Sequence, residues 1–230
     1  MATADLITQL KQDFDDVYAA GKAAGGGSGE DYLQYAKAVQ FNSLNDFGKA
    51  EVELNLDNAT TLADLIKTAS GATPNNTVEH LTINASELVK GMSSMIYQPV
   101  SVKDTVLKKL TLNVNSKNVT TFLGMVHYCT ALEEIDGMPL NLSVATNITN
   151  MFMGCSNLKE VRFVANTISK SISFASSPNL STDTIQSIVD GLADLTDGTA
   201  QTLTLHATVG GKLTDEQKAT ITAKNWTLVY

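Results

Sequence analysis

The sequence predicts an α/β protein, namely a short leucine-rich-repeat solenoid with a narrow parallel sheet, an N-terminal helix and a strand–helix–strand C-terminal cap. Three observations predict this class: a short apolar–polar pattern recurs along the middle of the chain, an apolar helical stripe precedes it, and helix and strand patterns alternate after it. The predicted organisation is an attachment or oligomerisation helix (1–24), a glycine-rich linker (25–29), an N-terminal cap with the repeats (30–180) and a C-terminal capping segment (181–230).

The repeats give the strongest signal. Their apolar–polar–apolar core is clearest in Leu81-Thr-Ile-Asn84 and Leu110-Thr-Leu-Asn113, and the copies begin at positions 52, 81, 110, 135 and 161. The steps between them lie in or beside the range of leucine-rich repeats, about 20–29 residues. One copy cannot bury its apolar face alone, so we expect the copies to stack, each adding a strand and a helical or irregular return. Asp136-Gly137 interrupts the copy at Ile135, which weakens the prediction of a strand there.

Stacking also places equivalent residues above one another. Asn55, Asn84 and Asn113 share one position in three copies, which predicts a ladder whose amides bond to turn backbone groups, with a ligand-binding role as the alternative. Cys129 and Cys155 each lie six residues before their copy's core. We expect them to be neighbours that fill the core as small apolar side chains, with a disulfide between adjacent copies as the alternative.

Residues after the last copy follow a different pattern. Apolar residues at helical spacing predict a helix over about 182–195, with Ser181 as its N-cap. The stretch Gln201–His206 alternates like a strand. A second helix is predicted to follow these two elements, and a strand to end the chain.

The second helix is predicted from its own capping signals. Thr214 and Gln217 have capping-box spacing, so a helix should begin there and run to about Lys224. Asn225 is suited to end it in a left-handed turn, and Trp226–Tyr230 alternates like a strand. Because a solenoid needs its last open face covered, this strand–helix–strand ending is predicted to be the cap.

The N-terminal segment has the apolar spacing of a short coiled-coil seam, carried by Ile7, Leu10, Phe14 and Val17. A helix of this length is marginal in water unless it packs on something. The glycine-rich 25–29 resembles a flexible joint, which favours self-association or docking to another protein over packing on the chain's own body. Residues 30–49 are expected to form a helix or irregular cap that covers the first repeat.

Charge and hydropathy exclude several classes of partner. The formal net charge is −8, and Arg162 is the one arginine among 16 basic residues, so we expect no nucleic-acid binding. The first 18 residues are acidic rather than basic and predict no signal peptide. No run approaches the roughly 20 apolar residues of a membrane span, so we expect no membrane.

The sequence contains no recognisable catalytic or ligand-binding motif, so we expect no enzyme, no catalytic residue, no cofactor and no metal. His80, His127 and His206 lack the spacing of metal ligands, and no hydrolase elbow, P-loop or dinucleotide fingerprint is present. The pair Glu133-Glu134 is interpreted as solvated surface. The residues therefore favour binding or scaffolding.

Several phrases resemble a known family. Met151-Phe-Met-Gly-Cys-Ser-Asn-Leu-Lys-Glu-Val161, Gln201-Thr-Leu-Thr-Leu205 and Lys212-Leu-Thr-Asp-Glu-Gln-Lys218 look like the BspA-type leucine-rich-repeat proteins encoded in tailed phages and prophages of gut bacteria. The opening Val17-Tyr-Ala-Ala-Gly-Lys22 is similar to their usual N-terminal helix. The likeness covers nearly the whole chain and is most specific at its C-terminal end. The resemblance implies a virion component of the tail, baseplate or a fibre, with no catalytic residues to transfer.

Two classes of function remain open. In the first, the chain is a virion structural or host-binding protein, made in the host cytoplasm, that contacts other virion proteins, oligomerises through its N-terminal helix (a trimer being one option) and displays the repeats to a bacterial surface receptor. In the second, it is a bacterial cell-surface or secreted adhesin of the same repeat type. The missing signal peptide favours the first class. A glycan-degrading enzyme is a weaker third reading, because a small single-layer solenoid rarely provides a pocket with facing carboxylates.

Overall fold

A computed structural model describes residues 50–56, 59–68, 75 and 77–230. This part is mixed α/β, with parallel strands in three open sheets and few helices. The strands are β1 (Glu51–Leu56), β2 (Ile66–Lys67), β3 (His80–Ala85), β4 (Ile96–Tyr97), β5 (Lys109–Val114), β6 (Val126–His127), β7 (Glu134–Gly137), β8 (Ile172–Phe174), β9 (Gln201–Leu205) and β10 (Trp226–Val229). The helices are α1 (Thr182–Gly191), α2 (Ala207–Gly210) and α3 (Asp215–Ala223).

The main sheet contains the first four copies of the repeat in chain order, β1-β3-β5-β7. Each strand is parallel to its neighbour, and Leu81 is opposite both Val52 and Leu110. Side chains alternate across a strand, so these apolar residues point to one face and the polar residues between them point to the other. The predicted register between the copies is confirmed.

The degenerate fourth copy does form a strand. β7 pairs with β5, and Ile135 is opposite Leu110. Gly137 has a φ of +92°, and a Cβ atom at this position would lie 2.4 Å from the carbonyl oxygen of Leu112. The glycine that weakened the sequence pattern is therefore the residue that lets this strand approach its neighbour.

The copy that begins at Val161 is not a regular strand, so this part of the prediction is wrong. It has only isolated bridges to the preceding copy, such as Glu134 to Glu160. On its other side, the backbone N–H of Val161 donates to the Thr184 hydroxyl (3.1 Å), and that of Phe163 donates to the Ser187 hydroxyl (2.9 Å). Side chains of α1 thus take the place of a further strand.

The return segments form a second sheet that the sequence did not predict. The two-residue strands β2, β4 and β6 pair in that order, and we call them the return sheet. A residue with positive φ precedes each strand by two positions, namely Asp64, Ser94 and Gly124. Because each of these return segments contains a short strand, its chain is extended there rather than helical.

A five-residue excursion makes the second copy longer than the third. The N–H of Gln98 donates to the carbonyl of His127 (3.1 Å), and the N–H of Asp104 donates to the carbonyl of Tyr128 (3.0 Å). Thus His127 and Tyr128, which are consecutive in the third copy, are opposite Gln98 and Asp104, which are six positions apart in the second copy. The intervening residues 99–103 leave the sheet and contain a short 3-10 turn, Val100–Val102.

Helix α1 begins as predicted and ends earlier than predicted. The Ser181 hydroxyl accepts from the backbone N–H of Thr184, which confirms the N-cap. The helix stops at Gly191 instead of about 195, because Leu192 forms a parallel bridge with Ile168. Lys224 donates to the carbonyl oxygens of Val189 (3.2 Å) and Leu192 (2.7 Å), so a cation occupies the C-terminal end of the helix.

The C-terminal end follows the predicted order. β9 lies between β8 and β10, and we call this three-stranded unit the C-terminal sheet. Thr214 and Gln217 form the predicted capping box of α3, and Asn225 has the predicted left-handed conformation with a φ of +62°. His206 was expected inside the strand, but it follows β9 and caps the short, unpredicted helix α2.

The core runs through all the described copies. Leu81 and Ile83 of β3 and the inward residues of β5 are buried, as are Cys129 and Cys155, which are free thiols. At the C-terminal side, Phe152 and Phe174 stack with their ring centroids 5.0 Å apart, and Phe163 packs edge-on to both. These three rings join the repeats to the C-terminal sheet.

The N-terminal predictions lie outside the described residues. They concern the stripe of Ile7, Leu10, Phe14 and Val17, the linker 25–29 and the cap 30–49. No helix in the described part has the length and apolar character to cross a bilayer.

Candidate functional site

The candidate site is the outward, polar side of the main sheet, which we call the sheet face. Strand alternation places one polar side chain on it at every second position. Its members on the four strands are Glu51, Glu53, Asn55, His80, Thr82, Asn84, Lys109, Thr111, Asn113, Glu134 and Asp136. The arrangement is an in-register polar array on a parallel sheet.

The predicted asparagine ladder is present on the sheet face. Asn113 donates its side-chain N–H to the amide oxygen of Asn84 (2.8 Å), and Asn84 donates to that of Asn55 (2.7 Å) and to Glu53 (2.6 Å). The amides were expected to bond to turn backbone groups, but they bond to one another. They are exposed, so the ladder holds three copies in register at the surface rather than in the core.

Charged residues on the sheet face are paired across copies. Lys109 lies 3.1 Å from carboxylate oxygens of both Glu134 and Asp136, and Arg162 lies 2.9 Å from Asp136. The backbone N–H of Gly137 and the Lys109 ammonium hold the pKa of the Asp136 carboxyl below its ordinary value. The same two carboxylates raise the pKa of Lys109.

A second row of charges lies just before the strands, at the edge of the sheet face. Lys108 lies 2.6 Å from Glu79, and Lys159 lies 2.8 Å from Glu133, so the sign of the charge alternates over four successive copies. These pairs are solvent-exposed and contribute little to stability. Glu133 and Glu134 are surface carboxylates, as expected, and each is paired with a lysine.

A buried polar column beneath this edge was missed by the sequence analysis. Asn75 and Asp104 lie six residues before their copies' cores, at the same offset as Cys129 and Cys155. Asn75 donates to both carboxylate oxygens of Asp104 (3.2 and 3.1 Å). The shared offset was the signal that would have found this column.

Asp104 is fully buried without a cation beside it among the described residues. Its carboxylate accepts from the backbone N–H groups of Val106 and Leu107, both at 2.9 Å, as well as from Asn75. Burial raises the pKa of Asp104 above its ordinary value, although these three donors oppose the rise. The residue stabilises a turn at a cost in desolvation.

Burial makes the thiols of Cys129 and Cys155 unreactive. Burial raises the pKa of the Cys155 thiol to about 12 and places the pKa of the Cys129 thiol well above its ordinary value. Because the thiolate is the nucleophilic form, neither side chain is activated. Their full burial confirms the prediction that they fill the core.

The three histidines have separate surroundings. His80 is exposed and 3.6 Å from Glu51, His127 stacks on Tyr97 with centroids 4.7 Å apart, and the ring of His206 accepts from the N–H of Thr208. Within the described ranges, no group of three or more His, Cys, Asp or Glu side chains is placed to hold a metal ion.

The predicted attachment residues Ile7, Leu10, Phe14 and Val17 cannot be related to the sheet face, because they lie outside the described part. The sheet face offers hydrogen-bonding amides, hydroxyls and paired charges on a fixed lattice, which suits recognition of a polar surface. Comparison with protein-family models, curated proteins and solved structures finds no match for this chain.

Proposed function

We propose that this chain is a non-enzymatic phage virion protein of the tail, baseplate or a fibre. In this proposal the repeats are turns of a leucine-rich-repeat solenoid that displays the sheet face as a binding module, for example in host attachment. The observation that carries the binding role is the in-register polar array of the sheet face. The virion location rests on the resemblance of the sequence to phage proteins of the BspA type.

The pairing of the charges supports recognition over catalysis. General acids and bases are usually poised by burial or by like charges in a cleft. On the sheet face, the carboxylates of Glu134 and Asp136 are instead neutralised by Lys109 and Arg162 together, which leaves them fixed as hydrogen-bond acceptors. Hydroxyls of Thr82 and Thr111 lie on neighbouring strands of the same face.

Residues 1–24 are proposed to attach this module to other virion proteins or to copies of itself. The experiment is the mass of the full chain in solution by light scattering. We expect an oligomer for the wild type and a monomer for Leu10→Asp/Phe14→Asp, because two charges in an apolar seam are not tolerated. Gln9→Asp/Gln12→Asp, with the same added charge outside the stripe, should remain an oligomer. A monomeric wild type would exclude self-association.

The virion location has its own test. Antibodies against the chain should label purified phage particles produced by the bacterium that encodes it, and should not label intact cells before phage induction. Labelling of uninduced cells without labelling of particles would favour the cell-surface adhesin instead.

A further inference from the structure

We propose that Asp197-Gly198 is a modification site, where the backbone rearranges spontaneously to an isoaspartyl linkage. The proposal goes beyond the binding role of the sheet face, because it concerns the chemistry of a separate turn between α1 and β9. It rests on a comparison of the three Asp-Gly steps in the chain, which begin at Asp136, Asp190 and Asp197. The fold restrains the first two steps and leaves the third free to react.

The reaction needs no partner other than water. The backbone nitrogen of the glycine attacks the side-chain carboxyl carbon of the preceding aspartic acid, and the carboxyl hydroxyl leaves with the amide proton as water, which gives a succinimide ring. Water then adds to one of the two ring carbonyls. Cleavage between the nitrogen and the side-chain carbon restores aspartate, whereas cleavage between the nitrogen and the backbone carbon leaves a main chain that runs through the Cβ atom. Glycine favours ring closure because it has no side chain to hinder the attack.

The step at Asp136 is restrained by charges and by the neighbouring strand. Its carboxylate lies 3.1 Å from the Lys109 ammonium and 2.9 Å from the Arg162 guanidinium. Both cations stabilise the ionised carboxylate, which has no hydroxyl to release as water. Gly137 lies in β7 opposite Leu112, where an added Cβ atom would come within 2.4 Å of the Leu112 carbonyl oxygen. The backbone at this step therefore has no room to turn towards the side chain.

The step at Asp190 is restrained by the end of α1. Gly191 is the last residue of this helix and is buried, and an added Cβ atom would lie 2.9 Å from the side chain of Ile168. The carbonyl of Asp190 accepts from the backbone N–H of Asn166 (3.0 Å), and the carbonyl of Gly191 accepts from that of Ile168 (2.8 Å). Rotation of the chain between Asp190 and Gly191 would break the end of the helix and both of these contacts.

The step at Asp197 has none of these restraints. Asp197 and Gly198 are both exposed and lie outside any helix or strand. Among the described residues, none pairs with the Asp197 carboxylate. The N–H of Gly198 makes one turn bond, to the carbonyl of Leu195 (2.9 Å), and the same oxygen is the nearest atom to an added Cβ, at 3.7 Å. Because this turn can open without disturbing a strand or a helix, the nitrogen can reach the carboxyl carbon.

The Asn225 side chain links this turn to the C-terminal sheet. Its amide donates to the carbonyls of Leu195 (2.9 Å) and Gly198 (3.1 Å), immediately before β10 begins. An isoaspartyl linkage adds one methylene carbon to the main chain between these two carbonyls, so the two bonds cannot both keep their geometry. We expect the modification to loosen the turn from β10.

The test is incubation of the full chain at neutral pH, followed by peptide mapping with a protease that cleaves before aspartate and not before isoaspartate. Cleavage before Asp197 should be lost progressively, while cleavage before Asp136 and Asp190 persists. Isoaspartyl methyltransferase with labelled S-adenosylmethionine should methylate the peptide that contains residue 197. In guanidinium chloride all three steps should react at similar rates, because unfolding removes the restraints on the other two.

Two variants and a control isolate the turn. Gly198→Ala should slow isoaspartate formation at least severalfold, because the added methyl group hinders the attack and the folded turn has room for it. Asn225→Gly keeps the left-handed conformation and removes both bonds to the turn, so formation should be faster. Asn150→Gly, the same change at another left-handed asparagine, should leave the rate unchanged.

Four results would overturn the proposal. Equal accumulation at residue 136 or 190 in the folded chain would show that the fold does not select the site. A wild type that stays unmodified at Asp197 while the unfolded chain reacts would show that this turn is restrained as well. A wild-type rate in Gly198→Ala would exclude attack by this nitrogen, and a wild-type rate in Asn225→Gly would exclude the link to β10. None of these measurements involves the sheet face or the N-terminal helix, so a failure of the proposed function is distinguishable.

Discussion

The two ends of the main sheet differ in how their last backbone groups are satisfied. At the C-terminal end, hydroxyls of α1 bond to the copy at Val161, and three phenylalanine rings connect that copy to the C-terminal sheet. At the N-terminal end, the described residues leave β1 with half-buried apolar side chains and outward backbone groups. The comparison teaches that hydroxyls of a non-repeating helix can satisfy backbone groups at a sheet edge where no further strand pairs.

The largest expected effect is at the closed end. Phe174→Ala should lower the free energy of unfolding by about 3–5 kcal/mol, because it leaves a cavity between Phe152 and the C-terminal sheet. Urea denaturation measures this loss. Ser173→Ala, an exposed neighbour on the same strand, is the control and should change stability little. A loss below about 1 kcal/mol for Phe174→Ala would show that the rings do not hold this end together.

A smaller effect is expected where α1 meets the sheet edge. Thr184→Val keeps the shape of the side chain but leaves the buried N–H of Val161 without its acceptor, so it should cost about 1–3 kcal/mol. Thr182→Val makes the same change at an exposed position of the same helix and should be near neutral. Equal losses in the two variants would mean that the hydroxyl does not close the edge.

The smallest effect should appear as a pH dependence of stability that arises in the copies nearer β1. Because burial raises the pKa of Asp104, the folded state holds this proton to higher pH than the unfolded state does. The contribution to stability is therefore full at low pH and is lost as pH rises through the raised pKa. Asp104→Asn should remove this decline, since Asn75 shows that an amide suits the equivalent turn.

The measurement is the free energy of unfolding in urea across the acidic-to-neutral range. Asp197→Asn, which removes an equal charge at an exposed site, should keep the wild-type slope. An Asp104→Asn profile that runs parallel to the wild-type profile across this range would refute the assignment.

The main sheet was predictable because its signal is periodic. Leu81 and Leu110 are equivalent leucines of successive copies, and each is followed by an asparagine three positions later. Copies that share this pattern align in one register when they stack, with leucine opposite leucine. The C-terminal capping box was predictable for a different reason, since Thr214 and Gln217 interact within one helical turn. In both cases the information is local or repeats locally.

The parts that were missed depend on contacts distant in sequence. The pattern of α1 continues to Leu195, but Ile168 pairs with Leu192 and Lys224 binds the last carbonyls, which ends the helix at Gly191. The strands of the return sheet are two residues long, too short for an alternating pattern. The buried pair of Asn75 and Asp104 had a usable offset, but one member is an amide and the other a carboxyl, so the equivalence was not apparent.

The excursion of residues 99–103 has a practical consequence. Because Gln98 and Asp104 already pair with consecutive residues of the next copy, the chain between them is not part of the sheet register. Val100 at its tip is 59% exposed. We therefore expect foreign sequence, such as an epitope or a fluorescent reporter, inserted beside Val100 to leave the alignment of the neighbouring strands unchanged, provided that the buried Val102 is kept.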